Sequence, residues 1–469
     1  MLVCKHWTEV ALNTPVLWSR ITVSNHDSLI KARRKLSRSK SVPLDICVQF
    51  SPRMDHSGAT TESLIHAMDI LRPSIWRWRS FRLAVPNRPQ AHAALMQCRE
   101  AAPILEDLSV QIFHFMQDDY YSTPPLPLFA GHTPRLRMCS FTSFNFGWDP
   151  SLASKLRVLK LGGYWHGFSP SVETILGILR ACPALEELAL RNMSDIDPDS
   201  CADFGFGDGS DPEYPGHFVE TILPQKNTEM ITLPRLKKAA FYYAGVVRVQ
   251  AVLAQLSFPS LERVEFMYLD NITGILKHLK RQSFSSLPLR HLRVESSFFN
   301  ELKLIKLLRR LPSLHTLELV DVEDVSSNFL KGLSNPPTAQ SWICPKLETL
   351  NLDGCTTVDW DALRSLVESR LPASSSRMLN VASAAAFPQG NPMLRSTASS
   401  YAEARRNAPP ISKPDRPSPF MLGMPKRFKT IDLTRCHQIS KEMLQWLRMY
   451  VAEVRCESAK SFWGEPAFP

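Results

Sequence analysis

The chain has 469 residues, 44% hydrophobic and 21% charged, with a net charge of +10 and a pI near 9.1. That is globular composition, and its basic balance speaks to solubility and to encounters with acidic partners, not to fold. No apolar run approaches the ~20 residues of a membrane span, no signal peptide is visible, and the ten cysteines form no Cys-x-x-Cys pair or zinc spacing; free buried thiols in the cytoplasm and/or nucleus are expected.

Val3, Trp7, Val10 and Ala11 stand at i, i+4, i+7 and i+8, one apolar face of a helix. Asn13-Thr14-Pro15 interrupts it. Thr14 before Pro15 predicts the cap and first position of a second helix, with Leu17, Trp18 and Ile21 on its apolar face. Two short helices cannot bury two tryptophans by themselves, so a third helix, a partner chain, or both is expected.

The order Val3-Cys4-Lys5-x-Trp7, then Ala11-Leu12-x-Thr14-Pro15-x-Leu17-Trp18, resembles the C-terminal half of an F-box in the form common in large fungal families. The resemblance implies a partner, the Skp-type adaptor of a cullin–RING ubiquitin ligase, held through Val3, Cys4, Trp7, Leu17 and Trp18. It also implies a following repeat domain that binds the protein to be ubiquitinated. The family's first helix, with its Leu-Pro start, is not in the sequence, so a partial F-box of second and third helices is expected over residues 1–24. Either the full reading frame supplies that helix or adaptor binding has been lost.

Residues 25–90 read as a linking helix and strands. Leu29 to Lys40 carries Lys31, Arg33, Arg34, Lys35, Arg38 and Lys40, a pattern shared by import signals and nucleic-acid patches. An amphipathic helix with Leu29, Ile30 and Leu36 inward is the preferred reading, leading through Pro43 into a strand Leu44–Val48. Leu64, Ile65, Met68 and Leu71 predict one helix face. Trp76 to Val85 alternates apolar and basic residues, which predicts a strand with buried aromatics and an Arg-rich solvent face.

A repeat then dominates the chain: a proline or small residue followed by Leu-x-x-Leu-x-Leu. Copies start at Leu105, Leu136, Leu156, Leu185, Leu236, Leu261, Leu289, Leu314 and Leu347, with a Phe-led copy at Phe428. Starts 236, 261, 289 and 314 are 25, 28 and 25 residues apart, the leucine-rich-repeat period. Helices fill the intervals, as in Ile272/Ile275/Leu276/Leu279, Leu304/Leu307/Leu308/Leu311, Val172 to Cys182, and Val249/Val252/Leu253/Leu256. Leu350 to Leu363 and Ile431 to Leu444 resemble the cysteine-containing repeat of many F-box proteins, with Cys355 and Cys436 as small apolar thiols inside the turn.

The expected fold is therefore an α/β leucine-rich-repeat solenoid, a curved parallel sheet with outer helices, preceded by the partial helical F-box. Repeats run over 91–371 and 426–457. A flexible acidic insertion is expected at about 195–228; Asp195, Asp197 and Asp199 begin like a calcium loop, but Ser200 replaces the turn glycine and Phe206 the bidentate Glu. A disordered Ser/Pro/Arg-rich insertion is expected at 372–425 and a tail at 458–469.

Period-two alternation places the residues flanking the fourth repeat position on the concave face. The substrate-binding candidates are Asp107, Lys160, Glu187, Lys238, Arg263, Glu265, His291, Arg293, Glu318, Asn351 and Asp432, with Arg263, His291 and Arg293 the most basic cluster, suited to an acidic or phosphorylated partner. No Walker loop, Gly-x-Ser-x-Gly or His-Glu-x-x-His occurs. No catalytic residue, metal ligand or cofactor is assigned; the expected role is a non-catalytic receptor in the ubiquitin pathway, or else a repeat-based interaction scaffold. Nucleic acid ranks last, on charge and Arg-rich stretches alone, and no membrane partner is expected.

Overall fold

The computed structural model describes residues 4–25, 28–50, 58–113, 128–143, 154–164, 169–193, 195, 230–282, 287–334, 341–371 and 425–456. The expected insertions at about 195–228 (Asp195 apart) and 372–425 (Pro425 apart), the tail, and Val3 lie outside these residues. Two compact units, Met1–Leu307 and Leu308–Pro469, make up the chain.

In the first unit ten parallel strands follow one another in chain order: β1 (Arg20–Ser24), β2 (Leu44–Gln49), β3 (Trp78–Val85), β4 (Asp107–Ile112), β5 (Met138–Thr142), β6 (Val158–Tyr164), β7 (Glu187–Met193), β9 (Lys238–Tyr242), β11 (Arg263–Met267) and β12 (His291–Glu295). The two-residue strands β8 (Ile231–Thr232) and β10 (Leu256–Ser257) pair separately. Helix α1 (Lys5–Leu12) precedes the strands, α2 (Leu29–Arg38), α3 (Gly58–Leu71), α4 (Arg88–Leu95), α5 (Val172–Arg180), α6 (Val246–Ala254) and α7 (Thr273–Gln282) lie between them in sequence, and α8 (Glu301–Leu308) follows. The second unit has four parallel strands in order, β13 (Thr316–Val320), β14 (Thr349–Asn351), β15 (Thr430–Asp432) and β16 (Glu453–Arg455), with α9 (Ser327–Leu333), α10 (Trp360–Ser369) and α11 (Lys441–Tyr450).

The repeat explains this order. Strand register aligns like positions, so Leu159, Leu188, Ala239, Val264 and Leu292 form one row and Leu161, Leu190, Phe241, Phe266 and Val294 another. All ten are buried, and Phe241 stacks on Phe266 with centroids 5.6 Å apart. Each of these side chains except Ala239 stabilises by about 1.5–3 kcal/mol through burial. The helical periodicities hold as well: Ile272, Ile275, Leu276 and Leu279 are buried beneath α7. Leu256 departs from its expected helix, because α6 ends at Ala254 and Leu256 pairs with Ile231.

A backbone feature repeats with the leucines. Two residues past the last apolar position, Ser143, Gly163, Asn192, Tyr243, Tyr268, Ser296, Asp321, Gly354 and Arg435 adopt φ between +43° and +73°. Such angles are strained for any residue but glycine. Hydrogen bonds to the following repeat over-determine them: Ser143 N–H donates to Gly162 O at 2.7 Å, Tyr268 N–H to Glu295 O at 2.9 Å, and Asp321 N–H to Asp353 O at 2.8 Å.

Three expectations near the N-terminus are corrected. Pro15–Trp18 is a 3-10 turn whose Thr14 makes no cap to it; the Thr14 hydroxyl donates back to Val10 O at 2.7 Å. Ile21 belongs to β1 and is fully buried, because Arg20–Ser24 pairs along β2, with Ile21 opposite Ile46, and not in a second helix. In α2 the buried residue is Ala32, whereas Ile30 is 61% exposed.

The Trp76 segment differs too. Arg72–Arg77 is 3-10, leaving Trp76 exposed and Arg77 buried. Arg77 donates to Leu36 O at 3.1 Å, Val42 O at 3.3 Å and Ser39 Oγ at 2.9 Å, tying the last turn of α2 to the loop that follows it. A register shift then inserts Arg79 between Trp78 and Ser80, so that Trp78 and Phe81 both face inward and stack at 4.6 Å.

Candidate functional site

The outward rows of the sheet carry the candidate binding residues. In the first unit, Asp107, Met138, Val158, Glu187, Lys238, Arg263 and His291 align in one row, and Ser109, Ser140, Lys160, Ala189, Ala240, Glu265 and Arg293 in the next. All eleven sequence candidates lie on strands, and the structure places them on the face opposite the apolar rows, as strand alternation requires.

Their charges are largely paired. Lys160 Nζ lies 3.1 Å from Glu187 Oε1, and Arg82, on the same face, lies 3.2 Å from Asp107 Oδ2. Arg263 pairs with Glu265, and the Arg293 Nε lies 2.9 Å from Glu295 Oε2. The expected basic cluster of Arg263, His291 and Arg293 is thus offset by two carboxylates two residues along the same strands. In the second unit, Glu318, Asn351 and Asp432 form one row. Asn351 Oδ1 accepts the Asp353 N–H at 2.8 Å and Asp432 Oδ1 the Thr434 N–H at 3.0 Å, so both shape the turns that end their strands.

An aromatic patch was not anticipated. Tyr242 at the end of β9 meets Tyr243 and Tyr268 with ring centroids 5.0 and 5.2 Å away, and Tyr243 stacks on Tyr268 at 4.6 Å. Tyr268 hydrogen-bonds Glu295, which holds its phenol above the ordinary value. Tyr243 is 43% exposed. Amphipathic rings fixed by their backbone are good interface anchors. The sequence signal was an aromatic at the residue two beyond the repeat's last apolar position, a place with no assigned role when read in one dimension.

The adaptor candidates occupy α1 and the turn after it. None of the residues of α1 is buried, and Trp7 and Leu17 are each 62% exposed, beside exposed Val16, Val10 and Leu12. Cys4 is exposed as well. Trp18 differs: its Nε1–H donates to Ala11 O at 2.8 Å and Arg38 lies over its ring at 4.5 Å, which ties the turn to α2.

The cysteines are part of the repeat. Cys355 Sγ donates to Leu319 O at 3.2 Å and Cys436 Sγ to Leu352 O at 3.1 Å, the same carbonyl one repeat earlier in each case. Burial pushes the two thiols up to about 11 and about 12. Asp195 accepts the Arg248 N–H at 3.1 Å and so caps α6, where Gly245 at φ +69° leaves the carboxylate room. Among the described residues no three His, Cys, Asp or Glu side chains converge as a metal site, and no helix is long and apolar enough to cross a membrane. Compared with family models and with curated proteins, the sequence matches none.

Proposed function

We propose that the chain is the substrate-recognition, F-box subunit of a Skp–cullin–F-box ubiquitin ligase, with a leucine-rich-repeat body that receives the target protein. The observation that carries the reading is the uncovered apolar surface of α1 and the Pro15–Trp18 turn, where Trp7 and Leu17 stand at the positions of the F-box resemblance. An apolar patch of that kind on a soluble chain marks an interface. The Skp-type adaptor is its occupant in this reading, and a target protein docks on the outward rows and the tyrosine patch. The chain itself performs no chemistry; it raises the effective concentration of a substrate lysine near the ubiquitin-loaded enzyme, in the cytoplasm and/or nucleus.

The test is co-precipitation of the adaptor with this chain and with the reading frame extended upstream, in wild type and in Trp7→Ala/Leu17→Ala. Capture of the adaptor by wild type and its loss in the double variant are expected. Absence of capture by both lengths of chain overturns the ligase reading. The second reading, an interaction scaffold without the adaptor, is favoured by the tyrosine patch, which requires no ligase partner. It predicts that binding partners of the repeats are retained in the same double variant.

A further inference from the structure

A cavity in the second unit carries an inference that does not depend on the ligase reading. It has a volume of about 550 Å³, is open to solvent, and is lined by Glu348, Lys426, Arg427, Lys429 and Arg448, with Phe428, Val451 and Ala452 completing the wall. That volume lies in the range of ligand sites. Four cations face one carboxylate, so the lining has a net charge of +3.

The cations are held in place. Glu348 precedes β14 and Lys429 precedes β15, and the Lys429 Nζ lies 2.7 Å from Glu348 Oε2, with Lys426 on the other carboxylate oxygen. Arg427 donates through Nε to Tyr450 O at the end of α11, which leaves the other guanidinium nitrogens for a ligand. Arg448 projects from the last turn of that helix and is exposed. Behind the wall, Arg370 is 2% exposed and lies 5.0 Å over the Phe428 ring. It donates only to Ile343 O at 3.0 Å and Cys344 O at 3.3 Å, and its Nε has no hydrogen-bond partner among the described residues. A buried guanidinium with no carboxylate beside it among the described residues adds positive potential to a wall whose four cations share one carboxylate.

We propose that this cavity binds a phosphate group carried on a phosphorylated segment of a partner protein. Arginine and lysine side chains that line one open groove suit a dianion with three acceptor oxygens. Nucleic acid is the poorer fit, because its backbone needs cations spread along successive phosphates, not gathered around a single cavity.

The experiment titrates inorganic phosphate into the full chain by calorimetry at constant ionic strength, for wild type, Lys429→Gln/Arg448→Gln and Glu348→Gln. A phosphoserine peptide, its unphosphorylated twin and a single-stranded RNA follow as competitors. Both substituted cations are exposed, so the double variant is expected to stay folded, losing only the small contribution of the Lys429–Glu348 pair, while binding phosphate at least tenfold more weakly. Glu348→Gln is expected to bind phosphate more tightly, since it removes the one opposing charge. Phosphopeptide, and not its twin, should compete. Equal phosphate affinity in wild type and double variant overturns the proposal, as does weaker binding by Glu348→Gln, or RNA competing more strongly than the phosphopeptide.

Discussion

Arg435 Nε lies 2.7 Å from Asp353 Oδ1, at the end of a strand pair that the sequence separates by a long insertion. The same guanidinium reaches Asp321 Oδ1 at 2.8 Å, so one side chain joins the ends of three successive repeats. Both carboxylates raise the Arg435 pKa, the Asp353 hydrogen bond most. Threonines 349 and 430 pair in register across residues 352–429, which shows that β15 resumes the array where β14 left it.

Gly354 makes this junction possible. Its φ is +73°, and a Cβ there would collide with Asp321 Oδ1 and lie 3.2 Å from Arg435 Nη2. Gly354→Ala should cost about 1–3 kcal/mol through backbone strain and displacement of the ion pair. The check is the urea midpoint, expected to fall with an unchanged slope. Arg435→Gln, which leaves the backbone alone, should cost less than about 1 kcal/mol and lose its effect in high salt, because the pair is partly exposed.

Glu348 gives a pH signature. Hydrogen bonds from Lys426 and then Lys429 hold its carboxyl below the ordinary 4.5. A depressed folded value means that the ionised group stabilises the fold above the unfolded pKa and loses that contribution as pH falls through the folded one. The difference in melting temperature between wild type and Glu348→Gln should be full at neutral pH and shrink progressively below about pH 4.5. A difference that stayed constant down to pH 3 would remove the ion pairs from the account.

Thiol labelling should separate the cysteines. Cys4 is exposed, whereas Cys355 and Cys436 are buried, hydrogen-bonded to carbonyls and shifted up by burial. The thiolate is the reactive form. With iodoacetamide at pH 8 and peptide mapping, Cys4 should label first and Cys355 and Cys436 only after denaturant unfolds the repeats.

Exposed and buried apolar residues should respond oppositely to truncation. Trp7→Ala and Leu17→Ala should change stability by less than about 0.5 kcal/mol, since neither side chain is covered. Leu317→Ala, at a fully buried repeat position, should cost about 2–5 kcal/mol. Denaturant titration of the three variants checks both halves.

Much of the fold was legible because its signal is periodic. Leu105, Leu108 and Val110, and the matching triplets at Leu289, Leu292 and Val294, are all buried, since a strand that shows every second residue to the core must repeat that pattern at each layer. Cys355 and Cys436 were legible for the same reason. The candidate binding rows followed from alternation, but their electrostatics did not. That Arg263 and Arg293 would each meet a carboxylate on their own strand depends on rotamers and distances, which spacing does not encode.

What the sequence by itself determined is which of the repeat's apolar positions are inside, because burial of leucine is dictated by its transfer free energy wherever the strand falls. The tertiary structure decided the rest. It placed Arg77 in the core, where it donates to Leu36 O, Ser39 Oγ and Val42 O at and after the end of α2. It forced Tyr243, Tyr268 and Arg435 into left-handed backbone through hydrogen bonds or close packing with neighbouring repeats. It also gathered Lys426, Arg427, Lys429 and Arg448 from two elements around one cavity, a convergence that only folding brings about.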